Sequence, residues 1–370
     1  MSSGSPIPVI VLTGFLGSGK TTLLQRLLQT EAGRRAAVLI NEFGEISLDH
    51  LLVKSVRGST VVLQNGCVCC SVRSELRAGL RELVDSRAKG EGPPFDRIVI
   101  ETTGLADPVP VVQTIAVDPM LRNHLRLTSL VSTVDALNGL EQVNTQDEAM
   151  RQAATADRLV ITKTDLSNEQ QTDKLHQLLE RINPMAPIVR APGREDVWGL
   201  LLGEDSSDPQ SRREYASTIS HAAEKLQSTA LVTEHVSAKS HHSHSIVSFA
   251  LRVREPIDWS PFVIWLSLLV HRHGRQVLRI KGLLDVPGAK GPISLNAVQH
   301  FIHPPVHLDA WPDDDHASRL VFIVQGLEEA AIRASLAEFL RRAAHTVPGL
   351  VEAVRMRGVH KQEVTSCKQS

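Results

Sequence analysis

The segment GFLGSGKT, residues 14–21, limits the choice of fold more strongly than any other part of this chain. It has the pattern G-x-x-x-x-G-K-T, follows the apolar run Pro8–Thr13 and opens the amphipathic stretch KTTLLQRLLQT. A glycine-rich turn between a strand and a helix points backbone N–H groups at phosphate oxygens, and the helix dipole adds to the attraction. We therefore expect a phosphate-binding loop, in which Lys20 reaches the β- and γ-phosphates and Thr21 offers its hydroxyl to Mg²⁺.

Short apolar runs recur up to about residue 190, and helical patterns separate several of them. The runs are Pro8–Thr13, Ala36–Ile40, Thr60–Leu63, Arg97–Ile100, Leu127–Val134, Arg158–Thr162 and Pro187–Val189. Continuous apolar strands that alternate with helices are typical of a parallel sheet covered on both faces. The predicted fold class is therefore α/β, with a mostly parallel P-loop NTPase sheet whose ligands bind at the carboxyl ends of the strands.

The 370 residues exceed what one ordinary core holds, so we expect more than one domain. We assign residues 1–192 to the nucleotide-binding domain and residues 244–350 to a smaller C-terminal α+β domain with its helices on one face. Residues 193–243 are polar and contain histidines, and we interpret them as a linker with a helix near Glu214–Leu226. Residues 351–370 are predicted to be a loose tail.

Composition narrows the class of protein. A formal net charge of −1 gives no indication of nucleic acid or an anionic membrane as a partner, and no apolar run approaches the roughly 20 residues that cross a bilayer. The N-terminal apolar stretch lacks preceding basic residues and is interpreted as a strand, not a signal peptide. Clustered thiols favour a reducing compartment, so we expect a cytoplasmic protein.

Two further segments carry nucleotide signals. The run DRIVIETTG ends a predicted strand in Glu101, an acid that can hold Mg²⁺ or its water, and the N–H of Gly104 can face a γ-phosphate. The run RLVITKTD ends a later strand with Lys163 and Asp165. A carboxylate there accepts hydrogen bonds from two donors on a guanine edge and rejects adenine, which favours GTP over ATP.

Three of the four cysteines, Cys67, Cys69 and Cys70, lie within four residues of each other. They follow the predicted strand Thr60–Leu63, which puts them at the same sheet edge as the phosphate loop. Thiolates suit Zn²⁺ or Cu⁺, and because no second C-x-x-C is present, a metal site here would keep an open position. The alternatives are cysteines buried as small apolar residues and a redox pair formed by Cys69 and Cys70.

Acidic and histidine side chains supply further candidate ligands. Glu42 and Glu45 follow the second predicted strand, and either can complete a thiolate site or approach Mg²⁺; the alternative is a solvated acidic loop. The linker histidines either gather metal or are simply solvated, and they are His235, His241, His242 and His244. We interpret the later histidines, His300, His303 and His307, as packing residues.

The segments GFLGSGKTTLL, NEFGE, GCVCC, ETTGLADP and TKTD, in this order, resemble the CobW-like family of P-loop GTPases, which includes the zinc-regulated GTPase metalloprotein activators. The resemblance implies GTP hydrolysis coupled to delivery of a metal ion to a client metalloprotein, most often Zn²⁺ and in some members Co²⁺. It implies a catalytic centre of Lys20, Thr21 and Glu101. It also implies the following nucleotide ligands: Gly14, Gly17, Ser18, Gly19, Lys20, Thr21, Thr22, Gly104, Lys163 and Asp165. The implied metal ligands are Cys67, Cys69, Cys70 and Glu42, with Thr21 on Mg²⁺.

One position departs from the family pattern. Thr162 stands where the guanine motif usually begins with asparagine, so we expect the amide bridge between loop and base to be lost and nucleotide affinity to be weaker. Three other functions remain alternatives to a zinc chaperone: a cobalt chaperone linked to cobalamin synthesis, a metal store or sensor stabilised by nucleotide, and a thiol-redox protein.

Overall fold

The computed structural model describes residues 6–31, 33–41, 60–63, 71–191, 209–233 and 246–346. Strands of the first domain are β1 (Ile7–Gly14), β2 (Ala36–Asn41), β3 (Thr60–Leu63), β4 (Arg97–Glu101), β5 (Leu125–Asp135), β6 (Arg158–Thr162) and β7 (Ile188–Arg190). Its helices are α1 (Lys20–Leu28), α2 (Ser71–Lys89), α3 (Val109–Val117), α4 (Pro119–His124), α5 (Gly139–Thr145), α6 (Asp147–Thr155) and α7 (Glu169–Ile182), with a 3₁₀ turn at Gly33–Arg35. The connecting helix α8 is Pro209–Thr233.

The second domain follows α8. Its strands are β8 (Ile246–Val253), β9 (Val277–Leu284), β10 (Ile293–Val298), β11 (Phe301–Ile302), β12 (Val306–His307) and β13 (Ser318–Gln325). Its helices are α9 (Trp259–His273) and α10 (Glu329–Thr346). Across the described ranges, no helix is both long enough and apolar enough to cross a membrane.

The first domain is built on a seven-stranded sheet in the order β3-β2-β4-β1-β5-β6-β7. Every neighbouring pair in it is parallel. Alternate residues of β1 face opposite layers: Val9 and Val11 pack in one core cluster with α2 and α3, whereas Ile10 and Leu12 pack in another with α1. Because apolar side chains alternate between two covered faces, the strand reads as a continuous apolar run. The predicted parallel P-loop sheet with helices on both faces is confirmed.

The second domain contains an antiparallel sheet in the order β11-β10-β9-β13-β8, with β12 paired to β10. One face is covered by α9 and α10, where Phe262 and Trp265 pack near the stacked rings of Phe249 and Phe322. The predicted C-terminal α+β domain with helices on one face is therefore present.

The other face of this sheet is also buried, which the sequence did not predict. Helix α8 lies against it through Ala216, Ile219 and Ala222, and Ala154 and Met185 of the first domain join the same core cluster. Helix α8 is longer than the helix expected near residues 214–226, and its buried face is mostly alanine. The two domains thus share a packed boundary.

Candidate nucleotide site

The phosphate loop joins β1 to α1 in the conformation that its glycines allow. Gly14 has φ 142° and Gly19 has φ 87°, both in the region that favours glycine. A Cβ on Gly14 would collide with the Thr133 backbone oxygen and with the Ser18 hydroxyl. Gly19 caps α1, so the first N–H groups of that helix open toward the turn. The local sequence therefore produces an anion cradle at a helix N-terminus.

Lys20 is buried in this loop. Its Nζ donates to the backbone oxygens of Gly14, at 2.8 Å, and Phe15, at 3.0 Å. The side chain is 8 % exposed, so its ammonium is fixed above the turn and not extended into solvent. The ammonium group that we expect to bind phosphate is therefore held at the loop.

Thr21 and Glu101 meet at the base of the cradle. The Thr21 hydroxyl donates to Oε1 of Glu101 at 2.7 Å, across 80 residues of sequence. Glu101 ends β4 and is 4 % exposed. A hydroxyl and a carboxylate oxygen beside a phosphate cradle form a hard-oxygen donor set, which fits Mg²⁺.

The segment after Glu101 presses against the phosphate loop. A Cβ on Gly104 would lie 2.7 Å from the backbone N of Leu16, so glycine is required for this close approach. Gln152 of α6 donates through its Nε2 to the backbone oxygens of Gly104, at 3.1 Å, and Ala106, at 3.0 Å. The neighbouring Arg151 donates to the side-chain oxygen of Gln325 in the second domain at 2.6 Å.

A cavity of about 730 Å³ connects these elements at the carboxyl edge of the sheet. Seven of the ten predicted nucleotide residues line it together with Glu101, and they are Gly17, Gly19, Lys20, Thr21, Thr22, Gly104 and Lys163. Gly14 and Ser18 lie beneath the wall, where the Ser18 hydroxyl pairs with the Thr133 hydroxyl at 2.7 Å.

The predicted guanine motif lies at the end of β6. Lys163 has φ 56°, and its Nζ donates to Oδ2 of Asp135 at 2.7 Å. Burial of Asp135 opposes its ionisation, but hydrogen bonds from Lys163, the Leu137 N–H and Asn138 together hold its pKa below the usual value. Asp165 is exposed two residues further along. Lys163 is thus anchored by a carboxylate that the sequence analysis did not single out.

Thr162 makes part of the bridge that we expected to be lost. Its hydroxyl donates to the backbone oxygen of Ser18 at 2.7 Å and lies 3.3 Å from that of Val134. A Cβ on Gly19 would be 3.4 Å from the Thr162 side chain. The threonine therefore ties the guanine motif to the phosphate loop through its hydroxyl, although it lacks the amide that would reach a base.

The predicted metal ligands Glu42, Cys67, Cys69 and Cys70 lie outside the described residues, as do Glu45 and the four linker histidines. The described strands fix their points of attachment. Residue 42 follows the end of β2, whose Ile40 is paired with Glu101. The cysteines fall between the end of β3 and the start of α2. Among the described residues, no cluster of three or more His, Cys, Asp or Glu side chains could hold a metal ion.

Sequence reasoning missed three polar contacts near the site. The first joins Lys163 to Asp135, and the second joins Gln152 to the Gly104 backbone oxygen. In the third, Nε2 of Gln299 donates to the Asp107 carboxylate at 3.0 Å. Asp135 could have been found, because like Glu101 it is an acid at the carboxyl end of a buried strand. The two glutamines carry no local pattern that distinguishes them from surface residues.

A parallel sheet with a strand–GxxxxGKT–helix turn, an acid at the end of a neighbouring strand and a cavity between them defines a P-loop nucleotide-binding protein. Residues 8–190 match the CobW/HypB/UreG nucleotide-binding domain, and residues 246–340 match the cobalamin synthesis protein cobW C-terminal domain. The chain belongs to the CobW/HypB/UreG family.

The names of several relatives refer to zinc. The chain is 35% identical over 333 residues to the zinc chaperone YjiA of Escherichia coli K12, covering 90% of this chain and 98% of the relative. It is 37% identical over 214 residues to zinc-regulated GTPase metalloprotein activator 1 of Schizosaccharomyces pombe, covering 55% and 51%. The crystal structure of Zn(II)-bound YjiA GTPase from E. coli superposes with a TM-score of 0.66 at 29% identity, covering 91% of this chain and 99% of that one.

Proposed function

We propose that this protein is a cytoplasmic GTPase that binds Zn²⁺ at Cys67, Cys69 and Cys70 and transfers it to a client metalloprotein. The observation that carries the proposal is the 2.7 Å hydrogen bond between Thr21 and Glu101, because it joins the phosphate loop to β4. Strand β4 pairs with β2, which leads into Glu42, and β2 pairs with β3, which leads into the cysteines. Names of the relatives support both the GTPase activity and the handling of zinc.

The phosphate loop supplies the nucleotide chemistry in this proposal. Backbone N–H groups of the loop and Lys20 bind the phosphate oxygens, and the Thr21 hydroxyl and the Glu101 carboxylate would hold Mg²⁺. Bound Mg²⁺ would neutralise charge that develops on the transferred phosphoryl group. Asp165 accepts hydrogen bonds from the guanine edge, and Thr162 positions that motif against the loop. Gly104, beside Leu16, lies where a γ-phosphate would meet the segment after β4.

Release of the γ-phosphate would then be sensed at two adjacent strand ends. In the GTP-bound state, Glu42 would join the three thiolates as a zinc ligand, and after hydrolysis it would be free to leave them. An open coordination position suits transfer better than permanent binding. Zn²⁺ is the cargo in this scheme, and Co²⁺ is the competing cargo.

Metal titrations of the protein loaded with GDP and with a non-hydrolysable GTP analogue test this proposal. We expect Zn²⁺ to bind more tightly in the GTP-analogue state, in the native protein and in Cys367→Ala, and we expect the difference to vanish in Cys67→Ala. Cys367→Ala is the matched control because it removes the one thiol outside the motif. Steady-state hydrolysis with and without Zn²⁺ or Co²⁺ is measured on the same variants. Equal metal affinity in both nucleotide states would refute coupling and leave a nucleotide-stabilised metal store.

A further inference from the structure

The nucleotide cavity contains a buried hydroxyl group that neither the phosphate cradle nor the Mg²⁺ donor set uses. Thr103 lines this cavity between Glu101 and Gly104, and it is 8 % exposed. Its Oγ1 is buried and has no hydrogen-bond partner among the described residues. Buried polar atoms are normally paired, and an unpaired one destabilises the folded state unless a water or ligand meets it. The hydroxyl therefore indicates a partner that the described part of the chain does not supply.

Neighbouring buried hydroxyl groups are paired within the protein. The Thr102 hydroxyl donates to the Thr13 hydroxyl at 2.9 Å, and the Ser18 hydroxyl pairs with that of Thr133 at 2.7 Å. These pairs show how a hydroxyl with a structural role is used at this edge of the sheet. Thr103 differs from them, because valine has nearly the same shape and would leave no oxygen unpaired at this position.

The backbone on both sides of Thr103 is held in place. The Thr102 N–H donates to β1 at 2.9 Å, and the Ala106 N–H donates to the Thr103 backbone oxygen at 3.2 Å. The Gly104 backbone oxygen accepts from Gln152 at 3.1 Å. With the backbone fixed, rotation about χ1 is the main freedom of the Thr103 side chain, and it exchanges the positions of the hydroxyl and methyl groups. The hydroxyl can therefore turn toward the cavity without breaking a hydrogen bond to a described residue.

The place of Thr103 in the cavity identifies the group that it can meet. Thr21 and Glu101 form the donor set that fits Mg²⁺, and in P-loop proteins this ion bridges the β- and γ-phosphates. The γ-phosphate would therefore lie beside the end of β4. Thr103 follows Glu101 by two residues and precedes Gly104, the glycine that packs against the phosphate loop. Its hydroxyl is thus placed for the terminal phosphate of a bound nucleotide.

We propose that Thr103 recognises the γ-phosphate, because its hydroxyl donates a hydrogen bond to a terminal γ-phosphate oxygen and so favours GTP over GDP. The inference rests on the proposed function, since it requires a guanine nucleotide with Mg²⁺ in this cavity. A threonine hydroxyl has one proton to donate, and a phosphate oxygen accepts a charge-assisted hydrogen bond. GDP lacks the terminal oxygens, so its complex leaves the hydroxyl without this partner.

Nucleotide titrations of the full chain in the presence of Mg²⁺ test the proposal. The two probes are GDP and the imido-bridged analogue of GTP, which resists hydrolysis and keeps all three terminal oxygens of the γ-phosphate. In Thr103→Val, we expect the dissociation constant of the GTP analogue to rise by about tenfold or more, because a hydrogen bond to a charged group is lost. The dissociation constant of GDP should stay unchanged.

Three comparisons separate phosphate recognition from a structural role. Thr103→Ser keeps the hydroxyl and should retain the preference for the GTP analogue. Thr102→Val makes the same chemical change one residue away, where the hydroxyl is bonded to Thr13, so it should lower the melting temperature and leave the ratio of the two dissociation constants unchanged. Thr103→Val should not lower the melting temperature of the nucleotide-free protein, because it breaks no hydrogen bond to a described residue.

Circular dichroism checks that each variant folds, and Thr103→Ala, for which we expect the same selective loss, replaces Thr103→Val if that variant does not fold. Equal changes in the affinity for both nucleotides, or no change in either, would overturn the proposal, as would the same selective loss in Thr102→Val. A native protein that binds neither nucleotide would overturn the proposed GTPase as well. A native preference for the GTP analogue that survives in Thr103→Val would overturn this inference alone. Zn²⁺ is left out of these titrations, so they do not depend on metal transfer.

Discussion

The Thr162 hydroxyl provides a sharp test of how the guanine motif is attached to the phosphate loop. Thr162→Val keeps the shape of the side chain and removes only the donor that reaches the Ser18 backbone oxygen at 2.7 Å. Thr162 is 5 % exposed, so water cannot easily replace the lost bond. A net hydrogen bond contributes about 1 kcal/mol, and a buried acceptor left unpaired costs about 1–3 kcal/mol.

We therefore expect Thr162→Val to lower the free energy of unfolding by about 1–2 kcal/mol. The dissociation constant for GTP should rise by up to about tenfold, since a difference near 1.4 kcal/mol corresponds to that factor. Urea unfolding measures the first quantity, and fluorescence titration with a labelled GTP analogue measures the second.

Thr164→Val is the control, because it makes the same chemical change two residues away in the same motif, where the side chain is partly exposed. Thr162→Ser keeps the hydroxyl and should retain affinity. If Thr162→Val matched the native protein in both measurements, or if Thr164→Val produced the same losses, the hydroxyl would not tie the motif to the loop.

Three further predictions follow from other contacts. Gly104→Ala places a Cβ 2.7 Å from the Leu16 backbone nitrogen, so it should displace the segment after β4. We expect the rate of GTP hydrolysis to fall by more than about tenfold, while the circular dichroism spectrum stays that of the native protein. An unchanged rate would contradict this prediction. Asp157→Ala removes the carboxylate that pairs with Arg279, so a buried positive charge is left without this partner. We expect the free energy of unfolding, measured by urea unfolding, to fall by about 3–5 kcal/mol. A loss below about 1 kcal/mol would contradict this argument. His303 has a folded-state pKa of about 4, below its ordinary value of 6.5, so the unfolded chain binds the proton more readily. The free energy of unfolding should therefore fall as the pH drops from about 6.5 to about 4, by at most about 3 kcal/mol. His303→Gln should remove that part of the pH dependence, whereas His307→Gln, an exposed control, should retain it.

The sequence predicted the first domain well because apolar continuity and glycine chemistry are local signals. The run Arg158–Thr162 is a strand with the same bounds, and GFLGSGKT forms the strand–turn–helix that its spacing requires. Glu101 and Thr21 could be placed together because each follows from the rule that parallel strands end at one edge. These conclusions need no knowledge of the rest of the chain.

The contacts between the two domains could not be predicted from local sequence patterns. Residues 193–243 have a polar composition, so they were interpreted as a linker, yet α8 buries a face of small residues that includes Ala216, Ala222 and Ala223. Small side chains carry little apolar signal, although they allow close packing. His303 was expected to be a packing residue, and only the fold shows that it lines a cavity to which both domains contribute residues.

Helix α6 links the segment after β4 to the second domain. Arg151 and Gln152 are consecutive residues, yet Arg151 donates to Gln325 of the second domain and Gln152 donates to the peptide oxygens of Gly104 and Ala106. Because a helical turn is stiff, these two sets of hydrogen bonds are held at a fixed distance and orientation to each other. Any shift of the Gly104 and Ala106 peptides must therefore either break their bonds to Gln152 or move helix α6 and, with it, the end of β13 in the second domain.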